Sequence, residues 1–372
     1  MPQGVGFYSL KIVGVWRCLG IRRRSKLSTF SFCTFLINRQ LTMNTRINYI
    51  DRIKGFTILL VVLGHIYLFL LNFSDTFVSR FIGSCHMFIF MFISGFVAYI
   101  PDETLTRKNI ARLKRRFLSY ICPSIFICSV SFLYLALIAE KGWGEGWQTA
   151  KNYWFFYWYL KSLALYCILH ALLLSTRRKW IHMLIVCIAY AAFYLGWRKS
   201  PLLNQIFCLE HAVCFYPFYL MGYCFRKYNL TDVLLQKNWI FTLGIIGYAT
   251  LLYASIPIHA LQIVVSRIIV PMCAVVIVYY LFAQRENSKE RWETWLSYIG
   301  YKSLDIYLYH WFFILTFKMI GMTDLAGWVL KSNNALLCLI IASLAAVVIA
   351  YMSIFTGYVI RQSDILRKIV YG

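Results

Sequence analysis

Apolar stretches long enough to cross a bilayer recur ten times between residues 55 and 359, and this repetition limits the fold more than any other feature. They cover 55–74, 78–100, 117–139, 153–174, 181–197, 205–225, 238–256, 261–283, 303–320 and 335–359. A spanning helix needs about 20 mostly apolar residues, because every backbone amide must be satisfied within the segment once water is gone. Charged residues make up 14% of the chain, against about 25% in an ordinary soluble domain. A water-soluble, multi-domain reading of 372 residues is therefore excluded. The expected fold is an all-α integral membrane protein of about ten transmembrane helices.

The net charge of +24 at first suggests a nucleic-acid partner. The basic residues, however, fall in short gaps between apolar runs, where they act as orientation signals. One alternate set of connections carries eighteen Lys and Arg, among them Arg107, Lys108, Arg226, Arg285 and Arg361; the other carries six. Both termini are thereby expected on the cytoplasmic side, with no nucleic-acid partner. The 12 cysteines form no CxxC pair and show no metal-like spacing with histidine, so no metal is predicted. Residues 1–42, with Arg22, Arg23 and Arg24, fit neither a span nor a signal peptide. They are read as a disordered or non-native extension ahead of a membrane domain over 43–372.

Ionisable groups inside a bilayer are costly and mark function by default. The first span carries Asp51, Arg52 and Lys54 at its mouth and His65 within it. Lys54 and His65 are eleven residues apart, which is three turns plus about 20°, so they share one face, about 16 Å apart along the axis. A lone histidine on an apolar helix is ordinarily a hydrogen-bonded core residue. The aligned Lys54, and His86 at similar depth in the second span, favour a site. Asp305 and His310 interrupt the ninth run. Arg112, Arg115 and Arg116 form a basic cluster that either grips phosphate or serves topology alone. His170 and His182 are read as interface residues, and His211 as lying near an outer helix end. The Ser94-Gly95 pair permits close helix approach.

These residues stand in a recognisable series. YIDRIKGFTILLVVLGHI, with a basic residue, ten residues and a histidine, resembles the opening signature of the acyltransferase-3 family. CHMFIFMFISGF resembles that family's second span, and Arg112-x-x-Arg115 its Arg-x-x-Arg motif. YWFFYWYLKSLALY, FYPFYLMGYCFRKY and IGYKSLDIYLYHW resemble later blocks in the expected order, over residues 46–360. One departure is Cys85, where an aromatic residue often precedes the histidine.

The resemblance implies a short-form, multi-pass enzyme of the bacterial inner membrane, surrounded by membrane lipids. It would move an acyl group, acetyl by preference, from acetyl-CoA to a hydroxyl of a cell-envelope glycan or lipid-linked saccharide. His65 would be the general base, with Lys54 and His86 as catalytic partners. Arg52, Arg112, Arg115 and Arg116 would meet the coenzyme A phosphates. Asp51, Asp305, His310 and Lys161 are further candidates, Lys161 on the glycan side. The opposing reading is a transporter with proton-relay histidines, for which the sequence shows no repeated halves.

Overall fold

The computed structural model describes residues 47–71, 76–101, 106–133, 157–174, 179–254, 257–288, 290–319 and 334–371. Residues 1–42, and the loops holding Lys141, Lys151 and Lys331, lie outside them. Among the described residues every regular element is a helix. In chain order these are α1 (Asn48–Phe69), α2 (Phe77–Ala98), α3 (Arg107–Leu133), α4 (Trp158–Leu174), α5 (Lys179–Lys199), α6 (Pro201–Phe207) and α7 (Leu209–Lys227). They continue with α8 (Leu230–Gln236), α9 (Asn238–Leu251) and α10 (His259–Val264), which runs through a π-wound stretch, Val265–Ile269, into α11 (Val270–Ala283). The last four are α12 (Arg291–Tyr301), α13 (Ser303–Met319), α14 (Ala335–Gln362) and α15 (Asp364–Tyr371).

Among the described residues five helices are long and apolar enough to cross a membrane: Asn48–Phe69, Phe77–Ala98, Arg107–Leu133, Leu261–Ala283 and Ala335–Gln362. The chain is thus a helical, multi-pass membrane protein. The other five expected runs are also occupied by helices, but these are shorter or more polar, as in Trp158–Leu174 and Asn238–Leu251. The expected sixth run, 205–225, is divided. Ser200 caps α6 ahead of Pro201, and Cys208 ends it in the left-handed region at φ 53°. Asn204 then accepts the Glu210 amide at 2.9 Å, satisfying an orphan donor at the start of α7. Asp305 and His310 do not interrupt α13, which runs unbroken.

Two helix crossings set the positions of α1 and α2. A Cβ on Gly55 would stand 2.0 Å from the Leu296 carbonyl, and one on Gly300 1.8 Å from that of Asp51, so α12 lies directly on the start of α1. Gly95 and Gly222 perform the same service between α2 and α7, where a Cβ on either would stand 1.8 Å from a carbonyl oxygen of the other helix. The expectation attached to Ser94-Gly95 is met there. Small residues let backbones touch where burial of apolar surface alone supplies little drive, as it does inside a bilayer.

Candidate active site

α1 lies between α2, α12, α13 and α14, and the bundle centre is built on it. Near its start a cavity of about 190 Å³ is lined by Lys54, Arg116, Ser303, Tyr159 and Tyr307, with the end of α2 closing one side. Arg116 reaches this wall by donating to the Ala98 and Val97 carbonyls, both at 2.9 Å, and so caps α2. Ser94 and Tyr159 are joined across the cavity by a 2.7 Å hydrogen bond. Lys54 Nζ stands 3.4 Å from Asp51 Oδ1, leaving a cation held at the rim by a carboxylate one turn back.

Above Tyr307 the histidines begin. The Tyr307 and His310 rings are 6.3 Å apart, and His310 stacks on His65 at 5.3 Å with 24° between planes. Trp311 and Phe69 complete an aromatic frame around His65, at 5.6 and 5.7 Å. His310 is 4% exposed, whereas His65 is half-buried. The Ile306 carbonyl lies 2.8 Å from His310 Nδ1. A carbonyl can only accept, so Nδ1 carries the proton and Nε2 keeps its lone pair. Nε2 is buried, with no hydrogen-bond partner among the described residues. His86 is fixed in the same manner, its Nδ1 2.5 Å from the Ile82 carbonyl. It stands within electrostatic reach of His65.

Lys54 and Arg116 thus share the cavity, while His65 and His310 stack beyond Tyr307 with His86 nearby. The remaining candidates do neither. Arg52 is buried beneath α12, donating to the Arg285 and Ser288 carbonyls at 2.5 Å and pairing with buried Glu293 at 3.4 Å. Those contacts occupy its guanidinium in structure. Arg115 is exposed and Arg112 half-buried, and neither lines the cavity. Lys161 is 3% exposed and hydrogen-bonds the Cys208 side chain.

Asp305 is 1% exposed and grips Arg361 in a bidentate pair, both contacts at 2.6 Å. Tyr371 adds a hydrogen bond at 2.8 Å. Burial, then the neighbouring carboxylate, raises the Tyr371 phenol above its ordinary pKa, so it stays a donor. His170, read from sequence as an interface residue, is 5% exposed and meets Tyr223 edge-on at 5.1 Å. His211 stacks on Trp158 at 4.4 Å. No cluster of three metal-ligating side chains occurs among the described residues.

The sequence missed the meeting of His65 with His310. Sequence periodicity relates residues on one helix, and this contact joins residues on two. It also passed over Tyr307 and Ser303, because tyrosine and serine are common throughout the chain.

A half-exposed imidazole backed by a second, tautomer-fixed imidazole, above a cavity with two cations, defines a candidate centre for acid–base chemistry inside a membrane bundle. The family profile described as an acyltransferase domain matches residues 47–353, and the chain belongs to that family, acyltransferase 3. No curated protein and no solved structure matches the chain.

Proposed function

We propose that the protein moves an acetyl group from coenzyme A thioester to a hydroxyl of a cell-envelope glycan or related saccharide, from a ten-span position in the inner membrane. Both termini would lie in the cytoplasm, where the basic connections point. The observation that carries the reading is the stacked His65–His310 pair above the Lys54–Arg116 cavity.

The cavity is smaller than the 300–1,000 Å³ typical of ligand sites. It suits the thioester arm of the donor rather than its nucleotide. Lys54 and Arg116 at the rim would meet donor phosphates, with Arg112 and Arg115 on the basic face beside them. In the reaction the acceptor oxygen attacks the thioester carbonyl and passes its proton to His65. The C–S bond breaks, and the imidazolium returns that proton to the departing sulfur, giving the ester and free coenzyme A thiol. His310, with its tautomer set by Ile306, fixes the ring against which His65 titrates.

The test uses membranes supplied with labelled acetyl-coenzyme A and envelope glycan, compared at equal protein level. His65→Gln keeps a polar side chain and removes the titrating base, and general-base catalysis is worth about 10²–10⁴ in rate. We expect the variant to retain less than about a hundredth of the wild-type transfer. Retention above about a tenth would remove His65 from the role, and a wild type that labels no glycan would count against the reading itself.

A further inference from the structure

The last helix of the chain has two unlike sides. α14 is long enough to cross a membrane, and only Ser363 separates it from α15, so α15 begins at the membrane surface. At about 100° per residue, Asp364, Arg367 and Lys368 share one arc of α15, and Ile365, Leu366 and Ile369 share an arc nearly opposite. The protein holds the helix through other residues: Val370 is fully buried, and Tyr371 donates to Asp305 at 2.8 Å. Ile365 is 71% exposed and Ile369 50%. Apolar side chains grouped outward on one face mark a contact surface rather than a core.

The neighbourhood of that surface is basic. α15 packs against α14 and α3. Arg116 on α3 shares its cavity with Ser303 and Leu304, and Asp305, which Tyr371 meets, is next in sequence. α15 therefore lies toward the Arg107 end of α3. Residues 101–116 carry six Lys and Arg against Asp102 and Glu103, and residues 363–372 carry Arg367 and Lys368 against Asp364. The excess of cations stands with every acid of both segments counted. Arg116 turns inward to the Ala98 carbonyl, whereas Arg107, Lys108, Lys114 and Arg115 are exposed. Residues of α3 and α4 also wall an apolar groove of about 460 Å³, with Leu113, Phe117, Ile168 and Leu172 in its lining and Lys114 beside them. Apolar surface for acyl chains and cations for phosphates thus meet at one end of the bundle.

We infer that α15 is an interfacial helix that seats this end of the bundle on anionic phospholipid. The inference stands apart from the acyltransferase reading. Ile365 and Ile369 enter the boundary between headgroups and acyl chains, and the groove takes one acyl chain. Arg367 shares its charge with Asp364 at 2.8 Å, so Lys368 and the exposed cations of α3, Lys114 foremost, supply most of the attraction for lipid phosphates. A second copy of the chain would set these cations against their equals, which charge opposes. Phospholipid brings the opposite sign and already surrounds the helix at this level. α15 also carries Tyr371 to Asp305, and His310 follows Asp305 on α13 by five residues, about 7.5 Å. Lipid under α15 thereby bears on the helix that holds the buried imidazole.

Amide hydrogen exchange over residues 363–372, measured on the full chain in nanodiscs, tests the proposal. One set of discs is phosphatidylcholine alone, and the other is equal parts phosphatidylcholine and phosphatidylglycerol. Exchange should be slower by about fivefold or more in the anionic discs. Lys114→Gln, Arg367→Gln and Lys368→Gln together should remove most of that difference. Lys114→Arg, Arg367→Lys and Lys368→Arg together keep the charges and should keep the difference. Ile365→Ser with Ile369→Ser should quicken exchange in both discs. Equal exchange of the wild type in the two lipids, or a difference that survives the triple Gln variant, overturns the proposal. A benzophenone side chain in place of Ile369 should attach to lipid on illumination, and attachment to a second copy of the chain overturns it as well.

Discussion

Two imidazoles within stacking distance cannot both carry a proton cheaply, and His65 and His310 are at 5.3 Å in a bundle with little water to screen them. Under the acyl-transfer reading, the less buried member, His65, is the one that meets the hydroxyl. This ordering predicts unequal substitutions. His310→Gln should slow transfer less than His65→Gln, by about tenfold rather than a hundredfold or more, in the same labelled-acetyl assay. Equal losses would make the pair a single unit.

Lys54 calls for a different measurement. If it meets donor phosphate, Lys54→Gln should raise the Michaelis constant for acetyl-coenzyme A by about tenfold or more. That is the effect of one charge-assisted hydrogen bond at about 1.5–3 kcal/mol. A fall in maximal rate with donor affinity unchanged would instead place it in the chemical step. At this scale the sequence was informative where residues share a helix. Lys54 and His65 could be related by counting turns. It was silent on His310 as a partner, and on Arg52, whose burial under α12 depends on Gly300 meeting the Asp51 carbonyl. Nor could a run of basic residues show that Arg116 turns inward while Arg115 does not.

Among elements, the end of the chain is tied to the core through one carboxylate. Asp305 on α13 holds Arg361 on α14 and Tyr371 on α15, and Arg361 stacks over the Tyr371 ring at 4.0 Å. A Cβ on Gly357 would lie 2.5 Å from the Asp305 carboxyl carbon, so the helices close on this group with no slack. Arg361→Met leaves Asp305 buried without its cation, an arrangement that costs about 3–5 kcal/mol. The apparent melting temperature in detergent should drop by several degrees, and adding Asp305→Asn should restore much of the loss. Failure of the double variant to recover would mean that α14 packing, rather than the stranded charge, sets stability. The sequence flagged Asp305 as a candidate for chemistry, because nothing local distinguishes a catalytic carboxylate from one that fastens helices. The breaks at Cys208 and Val265 were equally hidden, since neither falls on a proline or glycine that would mark it.

For the whole molecule, hydropathy and charge bias made the helical membrane fold legible, because the bilayer imposes a length on each apolar run and cations mark the side that stays in the cytoplasm. Reporter fusions after residues 110, 232 and 288 should read cytoplasmic, and fusions after 145 and 328 the opposite side. Two reversed reporters would dismantle the ten-span arrangement. Legibility ended where the short helices begin, since α4 and α9 are held by neighbours rather than by length.

The Asp305 tie also has a history in time. Its cation lies 56 residues downstream and its tyrosine 66. At about 5–20 residues per second, synthesis leaves the carboxylate waiting about 3–11 s for its first partner. During that interval α13 carries an unmatched acid, so the bundle cannot close over Asp305 at low cost until Arg361 has been made.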